Sequence, residues 1–354
     1  MKITKIVKED ILNIIKDNNL DKLPNSVFLI TGINGMIGRY FFLTLYFLNK
    51  EYNKGHKVYG LALSNNELSD QIFKEMNGKF VFLKQNVQDE IKIDEDVDYV
   101  IHTAGPASPS YIKKDPIGTN LANTLGTINT LKVADEKNAK GYLFISSREI
   151  YGEKNEGEDY FKEDGKLGYL DHTNIRNVYA ESKKNAENLI IAYNAQKGLN
   201  GKAIRLTYTF GPGINIYDGR VQSDFLKNYI EHENIVMKSL GLPLRRYTYL
   251  GDAVSAMFKI LLESPKNEVI YNVADEGNEI TIKGLAETIA SFDPNLKVII
   301  DLKEDKTRSY APFSEGMLDA SKLKKLGYKN RYTVKEGVER TLKHLLEELD
   351  NEGY

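Results

Sequence analysis

The sequence predicts a doubly wound α/β fold, a parallel sheet with helices on both faces, followed by a smaller C-terminal α/β substrate lobe. Three observations carry this expectation. Short apolar runs of strand length alternate with longer helical patterns as far as Thr207. The first of those runs leads straight into a glycine-spaced turn and a helix. Beyond Phe210-Gly211-Pro212-Gly213 the alternation breaks into shorter elements among turns, as expected where a second lobe begins.

Taken in order, Met1 to Leu23 mixes lysines and acids with isoleucines at helical spacing, which predicts an amphipathic helix leading into the first strand. That segment lacks a signal-peptide pattern. Val27-Phe28-Leu29-Ile30 is the first strand, Thr31 to Gly38 the turn, and Tyr40 to Leu48 an apolar run long enough for a buried helix. His56 to Leu63, Phe80 to Leu83 and Val97 to His102 read as strands two to four, with helical patterns between them. Gly118 to Asn138 is a long helical pattern, Gly141 to Ser146 a fifth strand, Tyr179 to Gln196 a helix and Lys202 to Thr207 a sixth strand. Tyr249 to Glu263 reads as a return to the main domain, Val269 to Val273 as a strand, and Lys283 to Phe292 and Val334 to Leu349 as helices. The expected organisation is a helical extension over 1–24 and a dinucleotide-binding domain over 25–207 with return segments at about 249–274. The substrate lobe is expected from 208–248 and 275–354, closing a cleft beyond the carboxyl ends of the strands.

Composition narrows the classes. A chain of 354 residues can bury a large core. With 48 basic and 50 acidic residues its net charge is -2, so no bulk attraction to nucleic acid or to an anionic membrane is implied. Cysteine is absent, which excludes disulfides, thiolate metal sites and cysteine nucleophiles and fits a reducing compartment. The five histidines show no ligand-like spacing, so no metal is expected. No run reaches transmembrane length, and a cytoplasmic location is expected.

The turn Gly32-Ile33-Asn34-Gly35-Met36-Ile37-Gly38 sits between strand and helix, where glycines let the backbone approach a pyrophosphate and the helix N-terminus faces the anion. Tyr179 and Lys183 lie four apart, on one face of a predicted helix. An ammonium beside a phenol favours the phenolate, which suits a tyrosine that removes a hydroxyl proton while hydride leaves the same carbon. Ser146-Ser147 ends a predicted strand, where a hydroxyl would reach the cleft, and Tyr151-Gly152 follows.

The glycine spacing, the serine at the strand end, the Tyr-Lys pair and their order resemble the extended branch of the short-chain dehydrogenase/reductase superfamily, which modifies nucleotide sugars on a Rossmann-type fold. His102-Thr103-Ala104-Gly105, Asn123-Thr124-Leu125-Gly126-Thr127, Arg205 with Gly211-Pro212, and Leu318-Asp319-Ala320-Ser321-Lys322-Leu323 extend the resemblance over almost the whole chain from Val27. Pro106-Ala107-Ser108-Pro109, Asp115-Pro116-Ile117, Asp218-Gly219-Arg220-Val221 and Arg245-Arg246-Tyr247 look most like UDP-glucuronate decarboxylases.

The resemblance implies catalytic roles for Ser147, Glu149, Tyr179 and Lys183, with Glu149 in proton transfer. It implies NAD contacts from Gly32, Asn34, Gly35, Met36, Ile37, Gly38, Asn65, Asn86, Val87, Thr103, Ala104 and Gly105, joined by Tyr179 and Lys183. Substrate contacts are implied for Pro106, Ser108, Arg148, Arg176, Tyr208, Arg220 and Arg245, the last near the sugar carboxylate. Arg246 is open between a pyrophosphate contact and a salt bridge. Three positions depart from the pattern. Arg148 stands where dehydratases have Asp and decarboxylases a small hydroxyl residue, Tyr208 where the family has Asn, and Ala62 where an acid would hold the ribose. Ser64 or Asn65 would take over that hydrogen bond, and NAD is expected with NADP left open. The expected function is NAD-dependent modification of a nucleotide sugar, UDP-linked, through transient C4 oxidation, on the pattern of UDP-glucuronate decarboxylases. The alternatives are a 4-epimerase or 4,6-dehydratase and, in another class, a non-catalytic nucleotide-binding sensor or scaffold, against which Ser147, Tyr179 and Lys183 together argue. The resemblance further implies a homodimer paired through the helices Gly118 to Asn138 and Tyr179 to Gln196.

Overall fold

The structure is a computed structural model that describes residues 2–64, 70–302 and 317–350. Asn65, one of the expected cofactor contacts, lies outside the described residues. The chain begins α1 (Lys5–Asp17), β1 (Val27–Thr31), α2 (Met36–Glu51), β2 (Lys57–Ala62), α3 (Asp70–Glu75), β3 (Phe80–Lys84) and β4 (Tyr99–His102). It continues α4 (Pro109–Lys114), α5 (Pro116–Glu136), β5 (Gly141–Ile145), β6 (Tyr160–Phe161), α6 (Val178–Lys197), β7 (Gly201–Leu206) and β8 (Tyr208–Phe210). Then come α7 (Val221–Ile230), β9 (Ile235–Met237), β10 (Leu244–Tyr249), α8 (Leu250–Glu263), β11 (Ile270–Val273), β12 (Glu279–Thr281), α9 (Ile282–Ala290), β13 (Val298–Ile300), β14 (Met317–Leu318), α10 (Ser321–Lys325) and α11 (Val334–Asp350).

Seven strands form one parallel sheet in the order β11-β7-β5-β4-β1-β2-β3. The central strands are apolar along their length because helices cover both faces: Leu29 packs toward α5 and α6, and Phe28 and Ile30 toward α2 and α8. Connectivity leaves β1 in one direction toward β2 and β3, and the later strands add on the other side, so the strand order reverses between β1 and β4. At such a reversal the loops following adjacent strands run apart and leave a crevice at the carboxyl edge. The residues after β1, β4 and β5 open there.

The N-terminal helical pattern is real but shorter than expected. α1 ends at Asn18, Asn19 takes φ +48°, and a single 3-10 turn over Leu20–Lys22 leads to β1. Val7, Ile11, Ile14 and Ile15 face the same core as α2 and α8. On that buried face Asp10 accepts from Tyr40 at 2.9 Å, from Tyr249 at 2.5 Å and from the Arg340 guanidinium at 2.7 Å.

The C-terminal residues build a second core, with Phe210, Phe225, Leu226, Tyr247, Leu285, Ile289 and Val338 in one cluster. Its sheets are small: β12-β10-β8, with β10 parallel to β8 and antiparallel to β12, and the pair β13-β9. Between them the chain returns to the first sheet, since β11 pairs with β7 and α8 packs Val254, Met257 and Phe258 into the first core.

Candidate active site

The glycine turn is shaped by contacts that forbid side chains. Gly32 has φ +66°, and a Cβ there would sit 2.7 Å from Ala104 N; a Cβ on Gly38 would sit 2.5 Å from Gly32 O and 2.8 Å from Thr103 Oγ1. The loops after β1 and β4 are stapled together, for Thr103 Oγ1 donates to Thr31 O at 2.7 Å, and Ala104 N to Thr31 Oγ1 at 3.3 Å. Thr31 Oγ1 also bonds His102 Nδ1 at 2.8 Å, and burial pushes that imidazole down to about 3, so it stays neutral. Gly35 caps α2 without any side-chain hydrogen bond. The first N–H groups of a 16-residue helix thus face the crevice behind bare backbone, an arrangement that fits a dinucleotide pyrophosphate. Met36 and Ile37 open α2 and pack into the core.

Other expected cofactor contacts have structural tasks. Asn34 Nδ2 donates to Ser64 O at 2.6 Å, tying the turn to the end of β2. Asn86 Oδ1 accepts from Gln88 N. Val87 is buried, packs against the space left by Gly126 and gives its carbonyl to Asn129, so only its backbone remains to meet a ligand. Ala62 ends β2 without an acid, as the sequence indicated.

β5 delivers two serines to opposite sides. Ser146 Oγ donates to buried Glu187 at 2.5 Å, while Ser147, one residue on, hydrogen-bonds Tyr179. Ser147 Oγ also accepts from Glu149 N at 3.1 Å. Tyr179 and Lys183 are 6% and 5% exposed on the first turns of α6. Burial pushes the Tyr179 phenol up to about 12, with the Glu149 carboxylate adding to the rise, and Ser147, Arg220 and Arg176 oppose it. The Lys183 ammonium donates to Ile145 O at 2.6 Å and lies 5.7 Å from the Tyr179 ring centre. Burial pushes it down to about 7, while Glu187, one turn further along α6, raises it. Burial is the largest influence on both groups.

The arginines sort differently from one another. Arg176 was expected on substrate, yet it grips Glu149 in a two-point fork, both bonds 2.9 Å. Arg220 donates to Ala107 O at 2.9 Å and lies 3.5 Å from Asp218, linking the start of α7 to the loop that holds Pro106 and Ser108. Ser108 caps α4. Arg148 donates to the Tyr208 hydroxyl at 2.8 Å, and Arg245 lies over the same ring at 5.5 Å. Arg246 is buried in a salt bridge with Glu279 and donates to Leu318 O.

Two buried groups were given no role by the sequence reading. Glu187 forks onto Arg205, which also donates to Tyr151 at 2.8 Å; its spacing from Lys183 on α6 was the available signal. Asn123 holds Ser182 through Nδ2, while its buried Oδ1 has no hydrogen-bond partner among the described residues and approaches Gly105. Only the fold brings that atom to the crevice.

Known proteins place the chain. It is 28% identical over 325 residues to UDP-glucuronic acid decarboxylase 3 of Arabidopsis thaliana, spanning 89% of this chain and 87% of the relative. UDP-glucuronic acid decarboxylase 6 of the same plant is 30% identical over 73% of this chain and 72% of its own length. In fold it is similar to a Thermotoga maritima UDP-glucose 4-epimerase crystallised with UDP-glucose, at TM-score 0.72 and 20% identity, covering 91% of this chain and 99% of that one. A Bacillus anthracis dTDP-glucose 4,6-dehydratase in complex with NAD gives TM-score 0.70 at 19% identity, covering 92% and 98%. With its family model matched across residues 28–274, from β1 to the end of β11, the chain belongs to the NAD dependent epimerase/dehydratase family.

Proposed function

We propose that the protein is an NAD-dependent nucleotide-sugar enzyme that acts by transient oxidation at C4, with a UDP-linked hexuronate as substrate and decarboxylation as outcome. The observation that carries this reading is the meeting of Ser147, Tyr179 and Lys183 beneath the crevice of the glycine turn. The match to UDP-glucuronic acid decarboxylases over nearly the full length of both chains supports the outcome. The chemistry NAD supplies when bound is acceptance of hydride from C4 and its later return.

Tyr179 takes the C4 hydroxyl proton, and Ser147 holds the same oxygen. Lys183, buried beneath, favours the phenolate whenever it is protonated. Once C4 is a ketone, a C6 carboxylate is a β-keto acid. The C5–C6 bond breaks, its electron pair becomes the C4–C5 enolate, and carbon dioxide leaves. Glu149, oriented by the two-point Arg176 fork, positions the water that gives C5 its proton. Arg245, over the Tyr208 ring, would meet the sugar carboxylate.

A 4-epimerase is the second reading, favoured by that same fork, which engages both Glu149 carboxylate oxygens. The dehydratase reading is disfavoured by Arg148, a cation where an acid would help expel water. Mass spectrometry of products from NAD-loaded protein with UDP-glucuronate separates these. Carbon dioxide loss with UDP-xylose supports decarboxylation, an epimer of unchanged mass supports the second reading, and unaltered substrate removes both.

The partner we infer is a second copy of the chain. Ile117, Leu121 and Leu125 recur every four residues along α5 and are exposed, with Ile191 exposed on neighbouring α6. A cytoplasmic location fits the cysteine-free composition.

A further inference from the structure

Arg148 and Tyr208, two of the departures from the family pattern, touch each other. Arg148 Nη1 donates to the Tyr208 hydroxyl at 2.8 Å, and its guanidinium carbon lies 5.2 Å from the ring centre. Arg245 arrives from β10 with its guanidinium carbon 5.5 Å from the same centre. The three side chains line a shallow groove, also walled by Leu244 and Leu318. Arg176, which grips Glu149, lies within electrostatic reach of both Tyr179 and Tyr208, so the groove adjoins the site of proton transfer.

A guanidinium carries five N–H donors in a planar fork that matches a carboxylate, and the Tyr208 phenol receives one of those of Arg148. A neutral sugar hydroxymethyl group gains little from a second cation, whereas a carboxylate has two oxygens to give. Tyr208 is long enough to hold Arg148 from β8, which a shorter amide side chain would not do by the same contact. The two departures therefore read as one device.

We propose that Arg148, positioned by Tyr208, is a specificity residue that binds the sugar carboxylate together with Arg245, selecting nucleoside diphosphate hexuronates over neutral hexoses. This rests on the nucleotide-sugar reading above. The test is calorimetric titration of NAD-loaded protein carrying Tyr179→Phe, which prevents turnover, with UDP-glucuronate, UDP-glucose and UDP in turn. Adding Arg148→Ser should weaken UDP-glucuronate about 10- to 100-fold, the worth of one charge-assisted bond. UDP-glucose and UDP should change by less than about threefold. Arg148→Lys should restore part of the loss. Tyr208→Phe, which keeps the ring and removes only the hydroxyl, should weaken UDP-glucuronate by a smaller factor and add nothing to Arg148→Ser. Should Arg148→Ser not fold, Tyr208→Phe carries the same comparison. Equal losses for all three ligands, or undiminished UDP-glucuronate binding, would overturn the proposal. Failure of all three to bind the parent protein overturns the nucleotide-sugar reading itself, and this assignment with it.

Discussion

Lys183 is an ammonium held in a place that disfavours charge. Its spacing from Tyr179 was legible, because four residues on a helix share a face. The direction of its Nζ was not, since that depends on the Ile145 carbonyl at the end of a strand 38 residues earlier. A lysine whose folded pKa lies near 7 costs stability in full below that pH, where both states are protonated. The cost fades as pH climbs toward the unfolded value of 10.5, where both are neutral. Lys183→Met should therefore melt a few degrees higher than the parent at pH 7, with the gain shrinking by pH 10, while losing turnover. Thermal unfolding across that range checks it; a variant that melts lower at every pH contradicts the account. The fork of Arg176 on Glu149 makes a second expectation at this scale. Arg176→Gln removes the two bonds that orient the Glu149 carboxylate, so kcat should fall about tenfold while KM for the nucleotide sugar stays within about twofold. A variant that raises KM with kcat unchanged would assign Arg176 to substrate instead.

Helix α1 shows what an element's pattern conceals. Its isoleucine spacing predicted an amphipathic helix, and Val7, Ile11, Ile14 and Ile15 do enter the core. Asp10 lies on the same face, where a carboxylate has no place unless it is paired. Its partner Arg340 is 330 residues away on α11, a distance no periodicity can bridge. With Tyr40 from α2 and Tyr249 at the start of α8, the carboxylate joins the first core to the C-terminal helix. Removing one member of a buried pair leaves the other charge uncompensated, typically at about 3–5 kcal/mol. Asp10→Asn keeps the shape and removes the charge, so urea unfolding should show a loss of about 3 kcal/mol. A loss under about 1 kcal/mol would mean that water reaches Arg340.

At the scale of the whole molecule, the alternation of elements was readable because parallel strands covered on both faces are uniformly apolar. Most boundaries fell within two residues, as for β7 and α6. The small sheet β12-β10-β8 was not readable, since its strands are three to six residues long and both of its pairings are set by the second core rather than by local pattern. The same limit applies to the outer face of α5. Its period is overlaid by residues packed on the sheet and on α6, so its mean pattern points in no one direction, and only the fold separates exposed Ile117, Leu121 and Leu125 from buried Ala122 and Thr127. A stripe of that kind, repeated by a two-fold axis, meets its own copy, because an isologous interface needs only one self-complementary patch. The chain should sediment at twice its 40.2 kDa mass. Leu121→Glu with Leu125→Glu sets like charges against each other across the axis, where desolvation raises their cost, and the double variant should sediment at the single-chain mass with its helical signal unchanged. A parent protein that sediments as a single chain at every concentration would leave the α5 stripe without a partner and refute the pairing. A double variant that stays dimeric would move the interface to another face, because two glutamates cannot remain buried against their own copies at the centre of a contact of ordinary size, about 800 Å² per partner.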